Sequence, residues 1–170
     1  MPNIALLSDT HGFFDPQILP YLEDRDQIWH AGDIGNMSVC TQIPKHLQAF
    51  IVTGNIDSQE LCHIYPTEHL FLCGGLRIYL THIGGHPKRY AKGIRVKLQQ
   101  HQPDLFVCGH SHLLRIERDP RQHNMLHLNP GAVGLQGYHR VRTLLRFRIH
   151  QKHISNMEVL ELSPRWPKHK

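Results

Sequence analysis

Short apolar runs that stop abruptly at polar residues restrict what this chain can fold into more than any other feature of it. Ile4-Ala5-Leu6-Leu7, Ile28-Trp29, Phe50-Ile51-Val52, Ile78-Tyr79-Leu80 and Leu105-Phe106-Val107-Cys108 each give way to a glycine or a small polar residue. Runs this short, rich in β-branched and aromatic residues, read as buried strands. The breaks carry Asp9-Thr10-His11, Gly32-Asp33, Gly54-Asn55, Thr81-His82 and Gly109-His110-Ser111-His112, with Asn129-Pro130-Gly131 as a sixth. Sheets of α/β type bind ligands in the crevice beyond the carboxyl ends of their strands, so these fragments are expected to share one site.

The connections support that class. Residues 3–9 read as strand and 15–22 as a helix, with Asp15 as N-cap and Pro16 in its first position. Strands are expected at 27–33 and 47–53, with a weak helix at 37–43 between them. Leu70-Phe71-Leu72 and Leu76 to Leu80 flank a Cys-Gly-Gly turn, which signals a hairpin. Leu70 to Leu72 is a candidate contact surface, with core burial the preferred use. Tyr90, Ile94 and Leu98 recur every fourth residue, which predicts an amphipathic helix over 88–100 that Pro103 ends. A strand at 104–108 then leads into antiparallel strands at 113–118, 125–128, 142–150 and 154–162. The expected architecture is α/β: two mixed β-sheets packed as a sandwich and flanked by helices.

At 170 residues and 40% hydrophobic content the chain is expected to make one domain over 1–170, with its core in 3–162 and a short basic tail at 163–170. No basic leader, cleavage site or membrane-length apolar stretch is visible, so a soluble, cytoplasmic protein without membrane contact is expected. Cys40, Cys62, Cys73 and Cys108 form no C-x-x-C pair and are expected as reduced thiols packed among apolar residues. The formal charge of +5 is dispersed except in the tail, which argues against a nucleic-acid surface while favouring approach of a phosphate substrate.

Most of the 16 histidines, among them His46, His63, His69, His101, His123, His139, His150, His153 and His169, show no ligand spacing and are expected to be background. His11, His82, His110 and His112 differ, each following a strand-like run with a carboxylate, amide or second histidine near it. Asp, His and Asn without thiolates suit hard-to-borderline divalent ions. Asp9 and His11, two residues apart in an extended loop, reach the same side and can grip one ion; His110 and His112 repeat that spacing. Asp33 is either a turn former or a carboxylate that offers one oxygen to each of two ions. Asn55 is either a turn residue or a neutral oxygen ligand.

Taken in order, these D-x-H, G-D, G-N, T-H and G-H-x-H elements resemble the calcineurin-like metallophosphoesterase superfamily. With Asn129-Pro130-Gly131, they are most similar to its small bacterial and archaeal phosphodiesterase branch, which shares its fold with the retromer scaffold subunit. The likeness spans residues 3 to about 162. It implies that Asp9, His11, Asp33 and His112 hold a first divalent ion and that Asp33, Asn55, His82 and His110 hold a second, with Asp33 bridging. Manganese is the expected metal, ahead of nickel, iron or zinc. The implied reaction is hydrolysis of a small phosphodiester, with monoesters as a second class, by a hydroxide held between the ions. Homodimers or homotetramers are common in the branch. The alternative is a metal-binding, non-catalytic scaffold for protein interaction; that retromer subunit loses ligand histidines, whereas all four stand here.

Two departures from the pattern bear on substrate choice. Larger relatives carry histidine directly after the G-N asparagine, where this chain has Ile56 followed by Asp57. The small branch keeps that aspartate, so Asp57 joins Asp33, Asn55 and His82 as a catalytic candidate, and alkyl monoesters with poor leaving groups are expected to react slowly. Where many relatives read H-G-H, this chain reads His82-Ile83-Gly84-Gly85-His86. His86 is either a donor or general acid at the substrate phosphate or, more plainly, the cap of the helix starting near residue 88.

Overall fold

Successive side chains of a strand point to opposite faces of its sheet, and this alternation builds the layers. The computed structural model describes residues 1–162; the basic tail expected at 163–170 lies outside the described residues. The strands are β1 (Asn3–Leu7), β2 (Gln27–Ala31), β3 (Gln48–Val52), β4 (Glu68–Cys73), β5 (Leu76–Thr81), β6 (Gly85–His86), β7 (Arg89–Tyr90), β8 (Leu105–Val107), β9 (Leu114–Asp119), β10 (Met125–Pro130), β11 (Thr143–His150) and β12 (His153–Glu161). The α-helices are α1 (Met37–Gln42), α2 (Gln59–Ile64) and α3 (Ile94–His101). One five-stranded sheet runs β12-β11-β1-β2-β3, the other β4-β5-β8-β10-β9, and β6 pairs only with β7. β1, β2 and β3 are mutually parallel, as are β5, β8 and β10, so each sheet is mixed, as expected.

Ile4, Leu6 and Trp29 of one sheet meet Ile78, Leu80 and Val107 of the other in the core between them. Ala5, Leu7 and Ile28 face the other way and pack beneath α1, α2 and the turn at Pro16–Tyr21. The outer face of the second sheet offers Tyr79 and Phe106 to Ile94 and Leu98 of α3. Fully burying one such aliphatic side chain stabilises the fold by about 1.5–3 kcal/mol. Among the described residues, no helix is long and apolar enough to cross a membrane.

Several expected elements change form. Residues 16–21 make a 3-10 helix rather than an α-helix, with Pro20 inside it, where its missing N–H would cost an α-helical hydrogen bond. Asp15 does cap it, accepting from the Gln17 N–H at 2.9 Å. The helix predicted over 88–100 begins only at Ile94, because Gly93 takes a left-handed φ of 83° and Arg89–Tyr90 pair with Gly85–His86 instead. Tyr90 still packs on the same cluster as Ile94 and Leu98, so their fourth-residue spacing marks a shared buried face rather than one continuous helix. α2 has no counterpart in the sequence reading: it is six residues long and buries only Leu61 fully, too little for a period to show.

The β4–β5 hairpin forms as read, but burial of Leu70 and Leu72 does not. They are 52% and 73% exposed on an edge strand, while Phe71 between them turns inward and stacks on Phe50 at 4.1 Å. Alternation sends the residues on either side of an inward phenylalanine outward. All four cysteines are free; Cys73 and Cys108 are buried and Cys40 half-buried, whereas Cys62 is exposed rather than packed.

Candidate metal centre

The carboxyl ends of β1, β2, β5 and β8 bring six of the seven expected ligands together in two groups. Asp9, His11 and His112 form one, and Asp33, His82 and His110 the other; within each, the candidate donor atoms lie within 4.8 Å of one another. His112 Nε2 stands 3.1 Å from Asp9 Oδ1, and His82 Nε2 stands 3.1 Å from Asp33 Oδ1. Asp33 Oδ2 lies 3.7 Å from His11 Nε2, so the two oxygens of one carboxylate face different groups. Asn55 is exposed beside Gly54 at the rim, lining with His82, Ile83 and Lys97 a cavity of about 330 Å³.

The backbone pays a conformational cost here. Asp9, His11, Asp33, His110 and His112 all adopt left-handed φ, between 49° and 66°. Non-glycine residues held there cost of order 1–3 kcal/mol each, and such strain collects at functional sites. The β1–β2 pairing sustains it by running on into the loops: the Asp9 N–H donates to the Gly32 carbonyl and the His11 N–H to the Asp33 carbonyl, both at 3.0 Å. Asn129 secures the loop of His110 and His112 by donating to the Gly109 carbonyl at 2.7 Å. Gly54 is required by close approach, since a Cβ there would stand 2.1 Å from Asp33 Oδ1.

Two further observations bear on what the groups can hold. Asp9 Oδ1 and His82 Nε2 are buried without a hydrogen-bond partner, one in each group. A buried polar atom left unpaired is costly unless something else occupies its lone pair. The donors are carboxylate oxygens and imidazole nitrogens, a set suited to divalent first-row ions, so the residues fit a metal. Burial draws the His11 pKa below its usual value against the opposing charges of Asp33 and Asp9. At His82 burial acts the same way but is outweighed by Asp33, Asp9 and the Ala31 carbonyl, which raise the pKa.

Behind the donors lies a layer that local spacing did not disclose. His82 Nδ1 donates to the Ala31 carbonyl at 2.7 Å. His139, read as background, is buried, with Nδ1 3.1 Å from His112 Nδ1 and Nε2 3.2 Å from the Gly134 carbonyl. A carbonyl only accepts, so His139 carries its proton on Nε2 and accepts from His112 Nδ1–H, which turns the His112 Nε2 lone pair towards the centre. His30, fully buried and held neutral by that burial with a pKa of about 4, accepts from the Gly32 N–H and donates to Thr10 Oγ1 at 3.0 Å. It thereby joins the Asp9–His11 loop to the Asp33 loop.

Two catalytic candidates sit elsewhere. Asp57 accepts from the N–H groups of Ile34, Gly35 and Gly54 at 3.1, 2.7 and 2.8 Å, which makes its carboxylate a clasp between the loops of Asp33 and Asn55. His86 belongs to neither group and does not cap α3, which starts at Ile94 behind Gly93; the cap reading is therefore corrected. A cavity of about 430 Å³ lined by Arg77, Arg118 and Lys152 opens at the opposite ends of the strands and shares no residue with the centre.

A family model described as the calcineurin-like phosphoesterase superfamily domain matches residues 3–152. The chain belongs to that superfamily. A probable metallophosphoesterase of Mycoplasma genitalium is 31% identical to this chain, over 79% of each. Among solved structures, a novel archaeal phosphodiesterase superposes with a TM-score of 0.68 at 22% identity, covering 93% of this chain and 99% of its own. Vps29 of Entamoeba histolytica, complexed with zinc, gives 0.71 at 14% identity, with 96% and 99% covered. At such identities the structural likeness establishes the fold, which is the one expected.

Proposed function

We propose that this protein is a two-metal phosphodiesterase in which Asp9, His11, Asp33 and His112 hold one divalent ion and Asp33, Asn55, His82 and His110 the other. The observation that carries the reading is Asp33, whose two oxygens face separate groups of donors. When bound, two such ions lower the pKa of a water and neutralise phosphoryl oxygens, with manganese the expected occupant. The protein's part is positional. Asp33 spans the groups, His82 and His112 are oriented through their Nδ1 atoms, and Asn55 closes the open side as a neutral oxygen donor. Ile56, 46% exposed, stands where larger relatives offer an imidazole to the departing oxygen, so esters with good leaving groups are favoured.

Turnover of bis-p-nitrophenyl phosphate beside p-nitrophenyl phosphate, by protein loaded in turn with Mn²⁺, Ni²⁺, Zn²⁺ and Fe²⁺, tests this. The diester is expected to react faster; no turnover with any ion bound would sink the enzymatic reading. The exposed pair Leu70 and Leu72 on edge strand β4 favours one second reading, a metal-binding scaffold that presents this edge to a protein partner or another copy of itself. That reading predicts metal binding without turnover.

A further inference from the structure

Beside the centre opens a second cavity, of about 450 Å³, lined by His110, Ser111, His112, Leu113, Tyr138 and their neighbours. It shares His110 with one donor group and His112 with the other, so it borders the centre directly. Its volume is ample for a ring-bearing substituent. The cavity at Asn55 and His82 carries the charges of Lys97 and Glu68, whereas this one is largely apolar.

Tyr138 is the unusual member of the lining. Its side chain is wholly exposed and makes no hydrogen bond among the described residues, whereas Tyr79 donates to Glu68 and Tyr90 to Asp119. Nor is its place left to a loose loop. Gly137 lies so close to the His112 ring that a Cβ would stand 2.1 Å from Nδ1, and His139 is buried against the same ring. Two anchored neighbours hold the Tyr138 backbone at the edge of the cavity, while its ring stands open to solvent. A bare aromatic face beside a reaction centre offers a flat ring a stacking surface.

We infer that this cavity is a subsite for a flat aromatic arm of the ester, a nucleobase or an aryl ring, and that Tyr138 is the surface on which the ring stacks. The inference rests on the phosphodiesterase reading of the adjoining centre and adds to it the chemical class of one arm.

Calorimetric binding of thymidine 5′-monophosphate, phenyl phosphate and methyl phosphate to manganese-loaded protein separates the two claims. Thymidine 5′-monophosphate is expected to bind more tightly than methyl phosphate, and Tyr138→Ala is expected to reduce that ratio by about tenfold, the scale of one aromatic stack. Tyr138→Trp should preserve the ratio. An equal advantage for phenyl phosphate assigns the subsite to any flat ring, and an advantage for the nucleotide alone assigns it to a nucleoside. Equal binding of all three ligands, or a ratio unmoved by Tyr138→Ala, overturns the subsite while leaving the metal centre standing. Binding of none of them counts against the centre itself, and the subsite falls with it.

Discussion

The two donor groups use the same side-chain types but are held by different means. In the Asp33–His82–His110 group, His82 rests on the Ala31 carbonyl, whose position the β2 ladder fixes, and the Asp33 loop is clasped from beneath by Asp57. In the Asp9–His11–His112 group, His112 rests on the ring of His139, a side chain from a loop 27 residues further along. One ring is therefore set by sheet backbone, while the other is set only as well as the 134–139 loop is closed. The difference predicts which substitutions disable the whole centre and which disable half of it.

Asp33→Ala should have the largest effect because its carboxylate faces both groups. Outer-shell partners of metal ligands typically cost about 10–100-fold in affinity or activity when removed, and a residue serving two ions directly should exceed that range. Both ions should bind more weakly in titrations, and diester turnover should fall by more than about a hundredfold. If one ion binds at wild-type affinity, Asp33 does not bridge.

Asp57→Ala comes next and acts on the backbone-held half. It strips the acceptor from three N–H groups, for an expected loss of about 2–4 kcal/mol in urea unfolding, and should loosen the Asp33–His82–His110 ion more than the other. Asp57→Asn keeps one acceptor oxygen and should lose less. Lost turnover with undiminished stability would instead make Asp57 the catalytic group that the resemblance implies.

Much of this was legible in the chain because strands as short as β8 still announce themselves by an apolar run and a polar break, and because Asp9, His11, His110 and His112 stand at local spacings that a loop can exploit. What was not legible depends on distance. The partnership of His112 with His139 joins residues whose intervening sequence carries no spacing signal, and Thr10 meets His30 only because β1 and β2 run parallel. Helices as short as α2 bury too few residues to show a period. Gly93 is the break that shortens the helix predicted over 88–100, and the buried spacing of Tyr90 with Ile94 masks it in the sequence.

The loop-held half is probed by His139→Ala, which should weaken the ion at Asp9, His11 and His112 by about 10–100-fold while the other stays near its wild-type affinity. His139→Gln is the informative control. Its amide oxygen can accept from His112 Nδ1–H and its NH₂ can donate to the Gly134 carbonyl, so it should restore most of the affinity. Equal loss at both ions, or no rescue by glutamine, would mean that the loop supports the centre as a whole and that the two halves are not separately built.

Acid should loosen both halves together. His30 ties the two loops, and burial holds both it and His127 at pKa values of about 4, below the unfolded value of 6.5. A depressed histidine pKa means that the unfolded chain takes up the proton first. Stability from these residues is therefore complete above about pH 6.5, falls as pH drops towards 4, and levels off below that. Each contributes a slope of about 1.4 kcal/mol per pH unit within the window. Urea unfolding of chelator-treated protein at half-unit intervals should show both slopes, and His127→Leu, which removes one of them without touching the tie between the loops, should flatten the profile by about 1.4 kcal/mol per pH unit within that window. A stability profile flat from pH 6.5 to 4.5 would show that neither ring is held neutral. A slope unchanged by His127→Leu would place the whole effect on His30 and the join between the two halves.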